Sequence, residues 1–200
     1  DHGLETPEGR VAFGPMTPAA VAQVFDGGPL SLGLTEDLPW LKAQTRLTFA
    51  RCGKIDPLSL EDYAAHGGLT GLKRALGMSG AAIVQEVTDS GLRGRGGAGF
   101  PTGIKWKTVA DAEADRKYVV CNADEGDSGT FADLKADQKY IVVNADEGDS
   151  ATFADRMIME GDPFTLIEGM LIAGIAVGAT KGYVYIRSEY PDAVEVMKAA

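Results

Sequence analysis

The sequence predicts an α/β fold in which parallel strands are joined by a βαβ crossover, preceded by a short helical segment. Compact apolar runs at residues 117–122 and 182–187 are typical of strands that are buried on both faces. Between them, residues 164–179 form an apolar run of helical length that contains Glu168. This run is shorter than the ~20 apolar residues that a membrane span needs, so a core helix is predicted. A helix that joins two strands of one sheet makes them parallel, with a right-handed crossover.

Shorter helices are predicted upstream of this unit. Pro18 begins one that extends to residue 25, and residues 31–40 are predicted to be a linker. Further helices are predicted over residues 60–65, 72–76 and 78–89, the last of them capped by Ser79. A final helix is predicted to begin at Pro191.

The segment over residues 90–106, SGLRGRGGAGFPTGIKW, is the most distinctive of the chain. Its six glycines exclude a helix or strand interior and suit a loop that turns sharply near a ligand. Arg93, Arg95 and Lys105 are cationic, and Phe100 provides an aromatic face. Backbone amides, cations and a flat ring together favour a phosphate-bearing ring ligand such as a nucleotide or a flavin.

Within this loop, Gly94, Gly96 and Gly99 match the spacing of the dinucleotide-binding fingerprint. That fingerprint requires a strand before it and a helix after it. Because a helix is predicted up to Asp89, we reject the classical Rossmann interpretation of this loop. A polar connection or short helix is predicted to follow over residues 108–115.

Composition narrows the class of protein. The net charge of −10 argues against nucleic-acid binding, although the glycine loop is locally basic. The two cysteines, Cys52 and Cys121, exclude a cluster held by cysteines alone and favour a reducing, cytoplasmic location. No signal peptide is predicted. Because the sequence begins with Asp1 and stops inside a predicted helix, we expect a fragment of a longer protein.

A motif of twenty residues occurs twice, with a period of 22. Copy one is residues 114–133 and copy two is residues 136–155, and sixteen of the twenty positions are identical. A repeat architecture needs at least three copies, so we interpret the pair as a local duplication. One copy takes the strand's place in the sheet. We expect the other to form an added strand or an extruded loop, since long insertions are tolerated in either place.

Each copy contains the letters NADEGDS at the carboxyl end of a strand, where open α/β sheets bind their ligands. In copy one, Asp124, Glu125 and Asp127 could accept hydrogen bonds from ribose or ribityl hydroxyls, or from a flavin N–H. They could instead hold Mg²⁺ through carboxylate oxygens, or form a solvated acidic turn.

These motifs together resemble one family. The glycine segment, CNADEGDSGTF, DRMIMEGDPFTLIEGM and YVYIRSEY are similar to the flavoprotein subunit of NADH-linked redox complexes. The family includes the 51 kDa-type subunit of complex I, the diaphorase subunit of NAD-reducing hydrogenases and the beta subunit of NAD-dependent formate dehydrogenases. The resemblance covers residues 38–200, and the Asp-Ser ending of NADEGDS is closer to the formate dehydrogenase and hydrogenase members.

The resemblance implies a Rossmann-like FMN-binding domain over residues 38–200 that exchanges a hydride between NAD(H) and FMN. Electrons would pass to iron–sulfur centres and a catalytic subunit of a multi-subunit complex, with formate dehydrogenase favoured over hydrogenase and complex I. The [4Fe–4S] ligands and a later flavin segment are expected beyond residue 200, so the fragment alone is expected to bind FMN weakly or not at all. Residues 1–37 resemble a linker and the tail of an upstream thioredoxin-like domain.

The resemblance also assigns site residues. The expected FMN contacts are Gly94, Arg95, Gly96, Gly97, Lys105, Asn122, Asp124 and Glu125. Phe100 is expected to stack on the nicotinamide ring, and Asp127 to lie near NAD(H). No residue is expected to act as a catalytic acid or base or as a metal ligand, because the cofactor carries the chemistry.

Copy one is preferred for these contacts because its Asn122 follows Lys105 at the family spacing of seventeen residues and because it keeps Gly129. Copy two runs without interruption into the following helix. Its alternate contacts are Asn144, Asp146, Glu147 and Asp149.

Two other classes of function stay open. One is a Mg²⁺-dependent nucleotide-binding enzyme, with the acidic loop on the metal and the glycine loop on phosphate, although the sequence has no Gly-Lys-Ser/Thr phosphate loop. The other is a non-catalytic assembly module in which the duplicated strand recruits a partner.

Overall fold

The computed structural model describes residues 3–15, 17–25, 30–94, 98–112, 117–122, 139–147 and 153–200. The chain divides into two compact units, Asp1–Leu47 and Thr48–Ala200. The assignment of residues 1–37 to the tail of an upstream domain stays a prediction.

The first unit contains a small antiparallel sheet in the order β1-β2-β3, formed by β1 (Gly3–Thr6), β2 (Gly9–Phe13) and β3 (Ser31–Leu34). Its helices are α1 (Ala22–Phe25), which follows a 3₁₀ turn at Pro18–Ala20, and α2 (Pro39–Lys42). The helix predicted from Pro18 is therefore present in two pieces. The linker predicted over residues 31–40 is wrong, because residues 31–34 pair with β2, as in Val11 opposite Leu34. These four residues alone do not distinguish a strand from a linker, so the pairing decides.

The second unit is built on a parallel sheet. In the described part of the chain its strands are β4 (Lys117–Asn122), β5 (Lys139–Ala145) and β6 (Lys181–Ile186), in the order β4-β5-β6. Both predicted strands are confirmed as parallel members of one sheet. The burial predicted for β6 is wrong, because this strand lies at one end of the described strand order and leaves Tyr183 and Tyr185 53% and 59% exposed. The duplicated motif forms an added strand, because copy one is β4 and copy two is β5. The copies pair in register, so that Tyr118 lies opposite Tyr140 and Asn122 opposite Asn144.

The crossover from β5 to β6 consists of α7 (Ala154–Gly161) and α8 (Pro163–Val177), and α9 (Pro191–Ala199) follows β6. Helix α8 lies close to β5, where a Cβ added at Gly174 would be 3.9 Å from Ile141 Cγ1. Gly178 ends the helix in a left-handed conformation, and the Ala179 N–H donates to Gly174 O at 2.8 Å. The predicted core helix is confirmed. None of the helices in the described ranges is long and apolar enough to cross a membrane.

Four helices precede the parallel sheet in the described residues of this unit: α3 (Leu60–Ala65), α4 (Thr70–Ala75), α5 (Gly80–Asp89) and α6 (Thr102–Asp111). The predicted cap of α5 is confirmed, since Ser79 Oγ accepts a hydrogen bond from the Ala82 N–H at 3.2 Å. Of the two alternatives predicted over residues 108–115, the short helix is present, but its bounds are wrong, because the helix already begins at Thr102 and ends at Asp111. Trp106 and Val109 pack against the core and form the apolar side of α6. The many glycines around the start of this helix hide its helical pattern in the sequence.

Buried polar groups join these helices to the crossover. Glu168 of α8 is 8% exposed, and its carboxylate accepts hydrogen bonds from the Leu69 and Leu72 N–H groups, both at 2.8 Å, and from the Tyr63 hydroxyl. The carboxylate therefore caps the first turn of α4 from a distant part of the chain. Asp162, which is fully buried, pairs with Arg51 at 2.8 Å. Together these contacts fix the helical segment against α8.

Candidate functional site

The glycine loop is closed at its base by backbone hydrogen bonds. The Gly94 N–H donates to Phe100 O at 2.9 Å, and the Thr102 N–H donates to Leu92 O at 2.8 Å. The Arg93 guanidinium donates to Gly99 O at 3.0 Å. The helix α5 ends directly before the loop, which agrees with the rejection of a classical fingerprint. The predicted FMN contacts Arg95, Gly96 and Gly97 lie outside the described residues.

The two helices that carry the loop pack tightly against each other. A Cβ added at Gly103 would clash with Thr88 Oγ1 and would lie 2.6 Å from Thr88 Cα. A side chain at Gly103 would therefore push α6 away from α5. The glycine fixes the distance between the helix that ends before the loop and the helix that begins after it.

Phe100 and Lys105 lie together at the start of α6. The Lys105 Nζ is 5.6 Å from the centroid of the Phe100 ring, and the Phe100 residue is 44% exposed. The N-terminus of a helix of this length carries partial positive charge and unpaired N–H groups. A cation, an accessible ring and the start of a helix in one place suit a phosphate-bearing ring compound, so the residues present fit FMN.

The strands that precede the two acidic motifs end side by side at one edge of the sheet. Asn122 ends β4 and pairs with Asn144 of β5, and parallel strands place their carboxyl ends side by side. In copy two, Asn144 Oδ1 accepts a hydrogen bond from the Asp146 N–H at 3.1 Å, which forms an Asx turn. The predicted contacts Asp124, Glu125 and Asp127 of copy one, and Asp149 of copy two, lie outside the described residues.

Glu147 of copy two is turned into the protein. It is fully buried, and its backbone is left-handed with φ 48°, which is uncommon for a residue other than glycine. Its carboxylate accepts hydrogen bonds from the Asp155 N–H at 3.1 Å and the Arg156 N–H at 3.2 Å. A carboxylate on the first turn of a helix satisfies N–H groups that have no partner within the helix and is favoured by the helix dipole. Glu147 therefore ties the end of β5 to the start of α7.

Two residues of the β6–α9 corner complete this arrangement. Arg187 Nη1 donates to Glu147 O at 2.8 Å. The Tyr190 side chain is buried, and burial together with the hydrogen bond to Glu147 raises the pKa of its hydroxyl. The Arg156 and Arg187 guanidinium groups each lie 5.4 Å from the centroid of the Tyr190 ring. We refer to Glu147, Arg156, Arg187 and Tyr190 as the Glu147 cluster.

Sequence reasoning did not identify the Glu147 cluster as a unit. Arg187 and Tyr190 belong to the motif YVYIRSEY, which contributes only to the family resemblance. The sequence signal that was available is the position of these residues just after a predicted strand, at the edge where the strands of the two acidic motifs also end. Nothing in the letters indicates that Glu147 lies inside the protein.

The comparisons with known proteins give the family. The model of the Nuo51 FMN-binding domain family, Complex1_51K, matches residues 87–136 and residues 132–200. The chain belongs to this family. The first match ends just after copy one and the second begins just before copy two, so the two matches divide the chain at the duplication. The predicted α/β FMN-binding fold and the predicted family are confirmed.

Relatives come from two kinds of redox complex. The NADP-reducing hydrogenase subunit HndC of Solidesulfovibrio fructosivorans is 47% identical over 159 residues, which are 80% of this chain and 28% of that protein. An NADH-quinone oxidoreductase subunit of Rhizobium meliloti is 45% identical over 142 residues, which are 70% of this chain and 28% of that protein. The chain thus spans under a third of the length of these relatives.

A solved structure supports the fold. The crystal structure of an NAD⁺-reducing [NiFe]-hydrogenase in the air-oxidised state is similar over 94% of this chain and 28% of the matched chain, with a TM-score of 0.50 and 26% sequence identity. This similarity agrees with an α/β FMN-binding fold for the chain.

Proposed function

We propose that this chain is the FMN-binding part of a flavoprotein subunit that exchanges a hydride between NAD(H) and FMN. The observation that carries the proposal is the closed glycine loop with Lys105 and Phe100 at its base, in a chain of the Nuo51 FMN-binding domain family. Bound FMN would supply the hydride and single-electron chemistry, and the residues of this chain would bind and position it.

The residues of the glycine loop would bind the phosphate and position the rings. The Lys105 ammonium and the backbone around Gly94, Arg95, Gly96 and Gly97 are the proposed phosphate and ring contacts. Phe100 is proposed to stack on the nicotinamide. On the acidic side, an asparagine and carboxylates of NADEGDS would accept hydrogen bonds from the ribityl hydroxyls and the flavin N–H groups, and the Asp127 position would lie near NAD(H).

The proposed partners are iron–sulfur and catalytic subunits of a multi-subunit complex. We propose that this complex is an NAD-dependent formate dehydrogenase, because the NADEGDS motif ends in Asp-Ser. The alternatives are a hydrogenase and complex I, which the names of the relatives favour. Purification of the complex from its source and assays of NAD⁺ reduction with formate and with hydrogen would separate them. Reduction with formate alone supports the first proposal, and reduction with hydrogen alone contradicts it.

The competing enzyme class is separated by calorimetry. We expect heat of weak binding on titration of the chain with FMN, and none with ATP in the presence of Mg²⁺. Binding of Mg²⁺–ATP without binding of FMN would contradict the proposal and favour a nucleotide-binding enzyme.

A further inference from the structure

We propose that copy two, and not copy one, supplies the acidic side of the flavin site, and that Glu147 is the positioning residue that holds Asn144 and Asp146 in place. The inference rests on the proposed function of the chain as an FMN-binding domain. It replaces the preference for copy one that the spacing from Lys105 favours in the sequence.

The two copies occupy different places in the sheet. Copy two forms β5, which pairs with β4 on one side and with β6 on the other. Its Ile141 and Val143 are 2% and 1% exposed. Copy one carries the smaller Val119 and Cys121 at the paired positions, and in the central strand these would leave space unfilled beneath α8. Copy two is therefore the better fit to the central position.

Glu147 is held in place by hydrogen bonds to its side chain and to its backbone. Its two hydrogen bonds join it to the first turn of α7, which begins only a few residues later in the same copy. A left-handed φ at a glutamate persists only where the surroundings determine it. Here the surroundings are the α7 N–H groups on the carboxylate and Arg187 on the carbonyl oxygen, from opposite ends of the residue.

Glu147 is also held by residues that follow β6. Tyr190 and Arg187 lie just after the strand beside β5, and they are 43 and 40 positions beyond Glu147. Their contacts connect the copy-two loop to the β6–α9 corner as well as to α7. Because Glu147 is buried in these contacts, it holds the end of β5, with Asn144 and Asp146, against α7.

The consequence concerns the residues just before Glu147. Asn144 and Asp146 are half-buried and form the Asx turn at the carboxyl end of the central strand. The hydrogen bond to Glu189, and to a smaller extent the charge of Asp146, raises the pKa of the Arg187 guanidinium, so the Asp146 carboxylate lies within electrostatic reach of this cation. We assign Asn144 and Asp146 as the flavin-facing residues and Glu147 as the residue that positions them.

The chain offers a matched pair of variants for the test. Glu147→Gln and Glu125→Gln make the same change in the same seven letters, NADEGDS, and differ only in the copy. We expect Glu147→Gln to weaken FMN binding about tenfold or more, since a charge-assisted hydrogen bond is lost, and Glu125→Gln to leave it unchanged. Tyr190→Phe is expected to give a smaller loss than Glu147→Gln.

Two measurements on the whole 200-residue chain are needed. Flavin fluorescence quenching gives the FMN affinity, and amide hydrogen exchange of the chain without FMN gives the opening of the segment over residues 144–156. Faster exchange there is expected in Glu147→Gln and not in Glu125→Gln. Tyr63→Phe removes a hydrogen bond to Glu168 in a different part of the unit, so it lowers stability but is expected to change neither measurement.

The inference is overturned if Glu125→Gln weakens FMN binding as much as Glu147→Gln does, or if Glu147→Gln leaves affinity and exchange as they are in the wild type. An equal effect of Tyr63→Phe would also overturn it, because loss of stability alone would then explain the result. If the wild-type chain binds no FMN, the proposal that this chain alone forms a flavin site fails, and the exchange comparison still decides whether Glu147 holds the end of β5 against α7.

Discussion

The buried carboxylate of Glu168 allows a prediction whose size follows from its contacts. One of its oxygens accepts the Leu69 N–H and the Tyr63 hydroxyl, and the other accepts the Leu72 N–H. Glu168→Gln replaces one oxygen by an amide NH₂ group, which faces a donor in either orientation. One charge-assisted hydrogen bond is lost, worth about 1.5–3 kcal/mol, and those that remain lose their ionic partner. We expect the free energy of unfolding to fall by about 2–4 kcal/mol.

The assay is equilibrium unfolding in urea, followed by the fluorescence of Trp106 in a Trp40→Phe background. This background leaves a single tryptophan, in the unit that contains Glu168. Glu195→Gln is the control, because its carboxylate pairs with Lys198 on the surface and is 73% exposed. The control is expected within about 0.5 kcal/mol of the wild type. A Glu168→Gln chain with the stability of the control would refute the role of Glu168 as the cap of α4.

Three further predictions follow from the same unit. Gly103→Ala is expected to lower the free energy of unfolding by about 1–3 kcal/mol, because the new Cβ would clash with Thr88. Gly169→Ala in α8 would place a Cβ with nothing within 4 Å and is expected to raise the free energy of unfolding by about 0.5–1 kcal/mol. Thermal unfolding of both variants checks this. Arg51→Met leaves the fully buried Asp162 without its ion pair and is expected to cost about 3–5 kcal/mol, measured by urea unfolding; a loss under about 1 kcal/mol would contradict it. Burial alone would raise the pKa of Glu168, but the hydrogen bonds from Tyr63, Leu72 and Leu69 outweigh burial and lower the pKa. The ionised Glu168 therefore stabilises the fold above its unfolded pKa of about 4.3, and this stabilisation is lost as the pH falls through the folded pKa. A series of unfolding curves between neutral and acid pH should show a steeper loss in the wild type than in Glu168→Gln.

The sequence predicts a helix or strand correctly where residues close together in the chain determine its structure. The strands β4 and β6 follow from unbroken apolar runs, and α8 follows from an apolar run of helical length that Gly178 ends. Ser79 before Gly80 was sufficient to predict the start of α5, because a serine cap acts within one turn. These elements need no distant partner to be recognised.

The sequence was misleading where a partner strand or a packed face decides the structure. The strand β3 consists of SLGL, and only its pairing with β2 distinguishes it from a linker. The start of α6 lies within the glycine-rich segment, where the density of glycine and proline conceals the helical spacing of Trp106 and Val109. In both cases tertiary contacts outweighed local propensity.

The candidate site was predictable in its chemistry and not in its arrangement. The cationic glycine loop and the acidic loop can both be identified from their letters. Copies that agree at sixteen of twenty positions cannot be ranked by those letters, so the choice between them depends on contacts with β6 and α7. The burial of Glu147 depends on Tyr190 and Arg187, which are far away in the chain.

Whether the glycine loop binds a flavin phosphate is decided by titration of FMN with the chain, followed by quenching of flavin fluorescence. Riboflavin and the Lys105→Gln chain are measured in parallel. The account predicts weak but saturable quenching of FMN. It also predicts still weaker binding of riboflavin, which lacks the phosphate, and weaker binding of FMN by Lys105→Gln. The difference between FMN and riboflavin should shrink in that variant, since the ammonium is proposed to bind the phosphate. Equal affinity of the wild type for FMN and riboflavin, or no saturable quenching by FMN, would contradict a flavin site at the glycine loop.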